Sequence, residues 1–313
     1  MRILVTGGAG FIGSHVVDAY LQAGHEVLVV DNLSTGKREN VPAHARFVEA
    51  DIQDLAVRQF IVQEKIEVVS HHAAQMDVRR SVADPLYDAR VNILGMLNVL
   101  EGARAAHVKK FIFASSGGTV YGEQEAFPAE EEHPTRPLCP YGVSKRAGEH
   151  YLHFYRMEYG LPSIALRYAN VYGPRQDPHG EAGVVAIFTQ RLLAGEQPVI
   201  NGDGNQTRDY VFVGDVAQAN LAALPVEYTG PLNIGTGSET TVNQLFTLLH
   251  DLTGSSALAV HGPAKPGEQR RSVLTWSRAA HVLGWCPVVE LENGLRQTVA
   301  YFRTRNDRHQ PHP

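Results

Sequence analysis

The chain has 313 residues, 43% hydrophobic and 19% charged, with a formal net charge of -5. That length supports a large core and two lobes. The acidic balance and the absence of a Lys/Arg stripe speak against a nucleic-acid partner, and no apolar run approaches the ~18 residues that span a bilayer.

In chain order, the N-terminus MRILVTGG runs into a first strand rather than an apolar leader, which makes cytoplasmic the expected location. Short buried strands are predicted at 2–5, 27–30, 45–49, 68–70, 111–113 and 164–166. Helices are predicted at 11–22, 91–106 and 140–159. Strands alternating with helices give an α/β fold: a doubly wound parallel (Rossmann) sheet covered on both faces. After residue 170 glycine and proline become frequent, and helices at 181–194 and 242–252 stand between irregular stretches. The expected division is a first domain over 1–169 and a smaller lobe over 170–313, with a frayed tail from 303. Fifteen histidines are present, but none form HxxxH or HExxH, and His71-His72 lie in an apolar strand, so packing is expected and no metal. Cys139 and Cys286 sit in no CxxC pattern, so no disulfide framework is expected.

Thr6-Gly7-Gly8-Ala9-Gly10-Phe11-Ile12-Gly13 follows the first strand and opens a helix. Gly7 suits a tight turn, Gly10 lets the backbone approach a pyrophosphate, and Gly13 lets helix and strand pack closely, with the helix N-terminus facing the phosphates. Asp31 closes the second strand at the ~20-residue distance of a ribose-binding carboxylate, which favours NAD over NADP. Lys37 and Arg38 are the counter-signal, in a polar loop. Asp51-Ile52 could hold the adenine, or Asp51 could cap a helix.

Pro140-Tyr141-Gly142-Val143-Ser144-Lys145 opens a helix, with proline in its first turn. Tyr141 and Lys145, four apart, project from one face. A tyrosine is a poor base at neutral pH; a nearby ammonium is expected to favour the phenolate and lower its pKa.

These segments, with Asp31-Asn32-Leu33, His72-Ala73-Ala74, Asn92, TVYG at 119–122 and Arg167-Tyr168-Ala169-Asn170, resemble the extended short-chain dehydrogenase/reductases, and among them most the UDP-glucose 4-epimerases. The resemblance runs over nearly the whole chain, through Arg208-Asp209-Tyr210-Val211 and Lys265-Pro266-Gly267-Glu268. It implies NAD at Gly7, Gly10, Phe11, Ile12, Gly13, Asp31, Asn32, Leu33, Ser34, Gly36, Asp51, Ile52, His72, Ala73, Ala74, Asn92, Tyr141 and Lys145. It implies a nucleotide sugar on the second lobe, at Asn170, Gly183, Val184, Arg208 and Lys265, the last standing where the family more often has arginine. Arg208 suits a phosphate because a guanidinium bonds it in two places; the alternative is an ion pair with Asp203 or Asp209.

Residues 115–122 read SSGGTVYG. In the epimerases a Ser or Thr two residues before the threonine bonds the sugar O4; here that position is Gly117. Ser116 is the expected substitute, presented by a bend at the paired glycines, and Thr119 is the other candidate, since strand parity puts 117 and 119 on one side. The related 4,6-dehydratases carry an Asp-Glu pair and the decarboxylases a Glu at this point; Gly118-Thr119 supplies no carboxylate, which fits reversible oxidation at one carbon. Ala74-Gln75-Met76 replaces the Gly-Leu-Lys of many bacterial epimerases. Ser272 falls about where a bulky tyrosine closes the sugar pocket, so N-acetylated sugars are expected to fit. The expected activity is NAD-dependent 4-epimerisation of UDP-glucose and UDP-galactose. The alternatives are an NAD enzyme of this fold acting on UDP-glucuronate, UDP-GlcNAc or a dTDP- or CDP-sugar, and a non-catalytic NAD-binding protein. The resemblance also implies a homodimer built on helices near 85–106 and 140–159.

Overall fold

The computed structural model describes residues 1–178, 183–264 and 269–309, with side chains to 305. Its strands are β1 (Arg2–Thr6), β2 (Glu26–Asp31), β3 (Arg46–Glu49), β4 (Val68–His71), β5 (Lys110–Ser116), β6 (Ser163–Tyr168), β7 (Asn170–Tyr172), β8 (Val199–Asn201), β9 (Thr207–Arg208), β10 (Tyr210–Phe212), β11 (Gly230–Ile234), β12 (Thr240–Thr241) and β13 (Val260–Gly262). The helices are α1 (Phe11–Gln22), α2 (Leu55–Gln63), α3 (Val78–Ala83), α4 (Pro85–Ala89), α5 (Met96–Ala105), α6 (Gly117–Val120), α7 (Pro140–Tyr159), α8 (Val184–Leu193), α9 (Val213–Ala222), α10 (Val242–Thr253), α11 (Ser277–Leu283) and α12 (Leu291–His309). A π-helical turn over Arg90–Gly95 joins α4 to α5.

Seven strands form one parallel sheet in the order β11-β6-β5-β4-β1-β2-β3. Both faces are apolar because alternate strand residues serve opposite cores. Ile3, Val5, Val29, Ile112 and Ile164 pack toward α1 and α9. Leu4, Leu28, Val69, Phe111 and Phe113 pack toward α2, α5 and α7. The chain winds outward in both directions from β1 and β4, and the crevice beyond their carboxyl ends is where such sheets take ligands.

The expected boundary after residue 169 is crossed in space. Residues 213–234 return as α9, which packs beside α1, and as β11, which pairs with β6 at the sheet edge. Burying the outer side of β6 requires a further parallel strand, and the chain supplies it from beyond the boundary. Of the remaining C-terminal elements, α11 joins the first core through Ala279, and the others form their own core, from Phe188, Tyr210, Leu245, Leu249, Leu295 and Val299. The helix expected over 91–106 is divided: the π turn comes first and α5 follows.

Candidate active site

The turn after β1 is held by contacts that leave no room for a side chain. Gly7 sits at φ +71° in the left-handed region, and a Cβ there would lie 2.5 Å from the Ala73 nitrogen. A Cβ on Gly13 would stand 2.2 Å from the Gly7 oxygen, so α1 can approach β1 only with glycine there. The Asp31 carboxylate accepts from the Ala9 N–H (3.0 Å) and the Leu33 N–H (2.8 Å), leaving acceptor capacity on both oxygens. Burial pushes its pKa up, against those two bonds. Asn32 donates to Asp51 (2.8 Å) and accepts from the Ser34 N–H, and Gly36 packs against Ala9 and Asp31. Ile52 is buried. Arg38 is turned onto the Phe47 ring at 4.7 Å and donates to Val41 O.

At the end of β4, His71 bonds Thr6 Oγ1 through Nδ1 (2.8 Å), and His72 bonds Ser70 Oγ through Nε2 (3.0 Å) while stacking on Tyr168. Burial, then the Lys145 charge, drives His71 well below the ordinary histidine value and His72 to about 3, so both rings are neutral. His72 Nδ1 is buried with no partner. Ala73 donates to Thr6 Oγ1 (3.3 Å), and Ala74 follows it. Asn92 faces the protein: its amide accepts from the Gln75 N–H and donates to Gln75 O and Asp88 Oδ1, so it shapes the loop after Ala74.

Helix α7 carries Tyr141 and Lys145. Lys145 is buried and donates to Ala114 O (2.8 Å) at the end of β5, with Nζ 4.8 Å from the centre of the Phe113 ring and 5.6 Å from that of Tyr141. Burial, partly offset by Asp88, brings its pKa down to about 8. The expected acidification of Tyr141 is corrected here: burial first, then Asp88 and Cys139, raise the phenol above the ordinary tyrosine value. An apolar enclosure disfavours charge on both groups, so proximity alone does not create a phenolate.

The stretch SSGGTVYG resolves into separate duties. Ser115 is buried and donates to Glu149 Oε1 (2.7 Å); the same carboxylate accepts Arg167 Nε on Oε1 and Nη2 on Oε2. The strand ends at Ser116, and Gly117 opens the turn α6, so the strand-parity argument for 117 and 119 does not apply. A Cβ on Gly117 would lie 2.4 Å from Leu274 Cδ1; the position of the family hydroxyl is filled from the second lobe. A Cβ on Gly118 would meet only Asn170 Oδ1 at 3.7 Å and Ser116 Oγ at 4.0 Å. Space therefore opens over Gly118, bordered by Ser116 and Asn170. Thr119 Oγ1 is buried without a partner, and its Cβ abuts Gly142 on α7.

On the second lobe, Asn170 donates its N–H to Asp209 O (2.9 Å). The buried Asp209 carboxylate accepts from Thr236 N and Oγ1, Gly237 N and Leu274 N. Asp203 takes Arg270 in two bonds (2.9 and 2.8 Å). Arg208 donates to Thr207 O (2.8 Å). Ser272 is buried, its carbonyl accepting from Asp209 N. Gly183 caps α8 and Val184 begins it. Lys265 lies outside the described residues.

A family model, the NAD dependent epimerase/dehydratase family, matches residues 3–235. The chain belongs to that family. It is 48% identical over 304 residues to a putative UDP-glucose 4-epimerase of Methanocaldococcus jannaschii, covering 97% of this chain and 99% of that protein. It is 52% identical to a UDP-glucose 4-epimerase of Thermotoga maritima solved with UDP-glucose, at a TM-score of 0.96, with 98% and 100% of the two chains covered. A UDP-glucose 4-epimerase of Thermus thermophilus solved with NAD superposes at a TM-score of 0.93 and 48% identity, covering 97% and 99%.

The residues fit the family's cofactor. The glycine cradle that a Cβ would fill, the buried Asp31 and the unpartnered His72 nitrogen stand around the crevice end of the sheet. Sequence reasoning missed Asp88, Glu149 and Leu274. Asp88 had a faint signal, standing one helical turn before Asn92; Leu274 had none, being more than 150 residues from Gly117 in the chain.

Proposed function

We propose that the protein interconverts UDP-glucose and UDP-galactose by transient oxidation at the sugar C4. The observation that carries this is the placement of Tyr141 and Lys145 on the inner face of α7, beside the end of β5, in a chain so similar to UDP-glucose 4-epimerases. Bound NAD supplies a hydride acceptor that can return what it takes, and a positive charge that favours a nearby phenolate. Tyr141 takes the proton of the 4-hydroxyl and gives it back. Lys145, fixed by Ala114 O, would help hold the cofactor beside Tyr141. Ser116 and Asn170 border the space over Gly118, where the sugar ring is proposed to turn between its two faces. Arg208, with Gly183 and Val184 at the start of α8 and Lys265, is proposed to grip the diphosphate while the sugar turns. Residues 1–169 mainly serve the cofactor and 170–313 the nucleotide sugar.

The small side chain of Ser272 supports acceptance of N-acetylated sugars as well. A homodimer is inferred from the outer faces of the helices named above. Leu152 and Tyr155 are buried within the chain, whereas Leu94, Val143, Phe154 and Met157 leave a large apolar surface uncovered (Phe154 48% and Met157 72% exposed). Cytoplasmic location is in keeping with cysteines outside any paired motif, and no helix among the described residues is long and apolar enough to cross a membrane. Incubation of the pure protein with a panel of UDP-sugars, with products identified by NMR, tests the reading. Inversion at C4 of UDP-glucose without net reduction of the cofactor is expected; no inversion of any sugar would overturn it.

A further inference from the structure

Asp88, at the end of α4, is a carboxylate with no solvent exposure. Its three donors are all neutral: Ser144 Oγ at 2.6 Å to Oδ2, and Asn92 Nδ2 at 2.9 Å and Gln75 Nε2 at 3.2 Å to Oδ1. A fully buried anion is costly unless a cation stands near it. Lys145 occupies the same buried space with its own charge bonded only to the Ala114 carbonyl. Among the described residues neither group makes a salt bridge, and the Asp88 charge acts on Lys145. Ser144 connects them: it precedes Lys145 directly, follows Tyr141 by three residues, and ties this turn of α7 to Asp88. The π turn at Arg90–Gly95, a form of helix found often at functional sites, follows Asp88 and carries Asn92.

We infer that Asp88 is a positioning residue of the reaction, the buried counter-charge to Lys145 and, through Ser144, the anchor of the helical turn that carries Tyr141. This rests on the reading of Tyr141 and Lys145 given above. The groups facing the pair are Tyr141, Cys139 and Ser144 from α7 and its cap, Asn92 from the π turn, Gln75, and the neutral His71 and His72 at the end of β4. None of these is a carboxylate; Asp88 is the one whose charge acts on Tyr141 and Lys145. Its negative charge raises the pKa of both Tyr141 and Lys145, so its neutralisation moves both downward.

The test is Asp88→Asn in protein labelled with 15N-lysine, with the Lys145 Nζ signal, assigned by a Lys145→Arg variant, followed against pH. The Lys145 midpoint is expected to fall so that its acid ionisation constant rises about tenfold, and the pH profile of kcat is expected to move the same way with KM for UDP-glucose unchanged. An unmoved Lys145 midpoint would overturn the counter-charge. Ser144→Ala keeps the charge and removes the anchor. It is expected to lower kcat severalfold at an unmoved Lys145 midpoint, and a parental kcat would overturn the anchoring role even if the Asp88 variant does not fold. The NMR arm does not depend on turnover, so a parent protein that epimerises no sugar would sink the functional reading while still deciding whether Asp88 and Lys145 are coupled.

Discussion

The two sides of the site are built differently. One wall, made of α4, α7 and the ends of β4 and β5, stands on regular elements, and buried bonds run from Ser115 through Glu149 to Arg167 and from Ser144 to Asp88. The opposite side, made by residues 207–210, 235–237 and 269–275, consists of loops and short strand segments gathered by one buried carboxylate, Asp209, and reaching the first wall through Leu274. Side chains on packed helices and strands hold a reacting geometry closely. Loop segments can change while the wall stays, so on the proposed reading the proton chemistry belongs to the first side and the choice of sugar to the second.

The comparison can be broken most severely at Tyr141. Tyr141→Phe is expected to lower kcat by roughly 10²- to 10⁴-fold with little change in the thermal midpoint, measured by coupled assay and calorimetry. Full activity would remove the proton chemistry from this wall. Next in size is the wall's internal brace. Glu149→Gln leaves the Arg167 guanidinium buried without its anion, and denaturant unfolding is expected to report a loss of about 3–5 kcal/mol. Burial works to raise the Glu149 carboxyl, but the bonds from Arg167, Ser115 and Arg146 outweigh it and hold it below the usual range. Because the folded value lies below the unfolded one, this group contributes stability above the unfolded carboxyl pKa of about 4.3 and loses it as pH falls through the folded value. Unfolding measured against pH should therefore show an acid limb that shrinks in Glu149→Gln.

Where the two sides meet, Gly117→Ser drives a side chain into Leu274 and is expected to cost about 1–3 kcal/mol. Leu274→Ala in the same chain should return part of that loss, because the two positions are in contact. Independent, additive losses would mean that the second lobe does not fill position 117. The smallest effect belongs to the outer edge of the loop side. Arg271 pairs with Glu239 (2.7 Å) and lies over Phe127 (3.8 Å), both in solvent reach. Arg271→Ala is expected to leave the melting temperature where it is; a clear drop would mean that the loop side is braced at its rim as well as at Asp209.

The cradle at Gly7–Gly13, the strands between helices and the pair Tyr141/Lys145 were legible from residue order alone, because each is written in a local run or a fixed spacing: short apolar runs bounded by polar residues for strands, four on a helix face, three glycines at a turn. The same locality explains why Asp31 could be placed at the end of β2. What the sequence could not give was whatever depends on burial or on chain returning from afar. The acidity of Tyr141 turned on enclosure and on the nearby Asp88 and Cys139, all of which raise the phenol. The fate of Gly117 turned on Leu274, the edge of the main sheet on β11, and the compensation of Lys145 on Asp88 across two helices. These are contacts between segments with no shared pattern, and only the packed chain decides which of them meet.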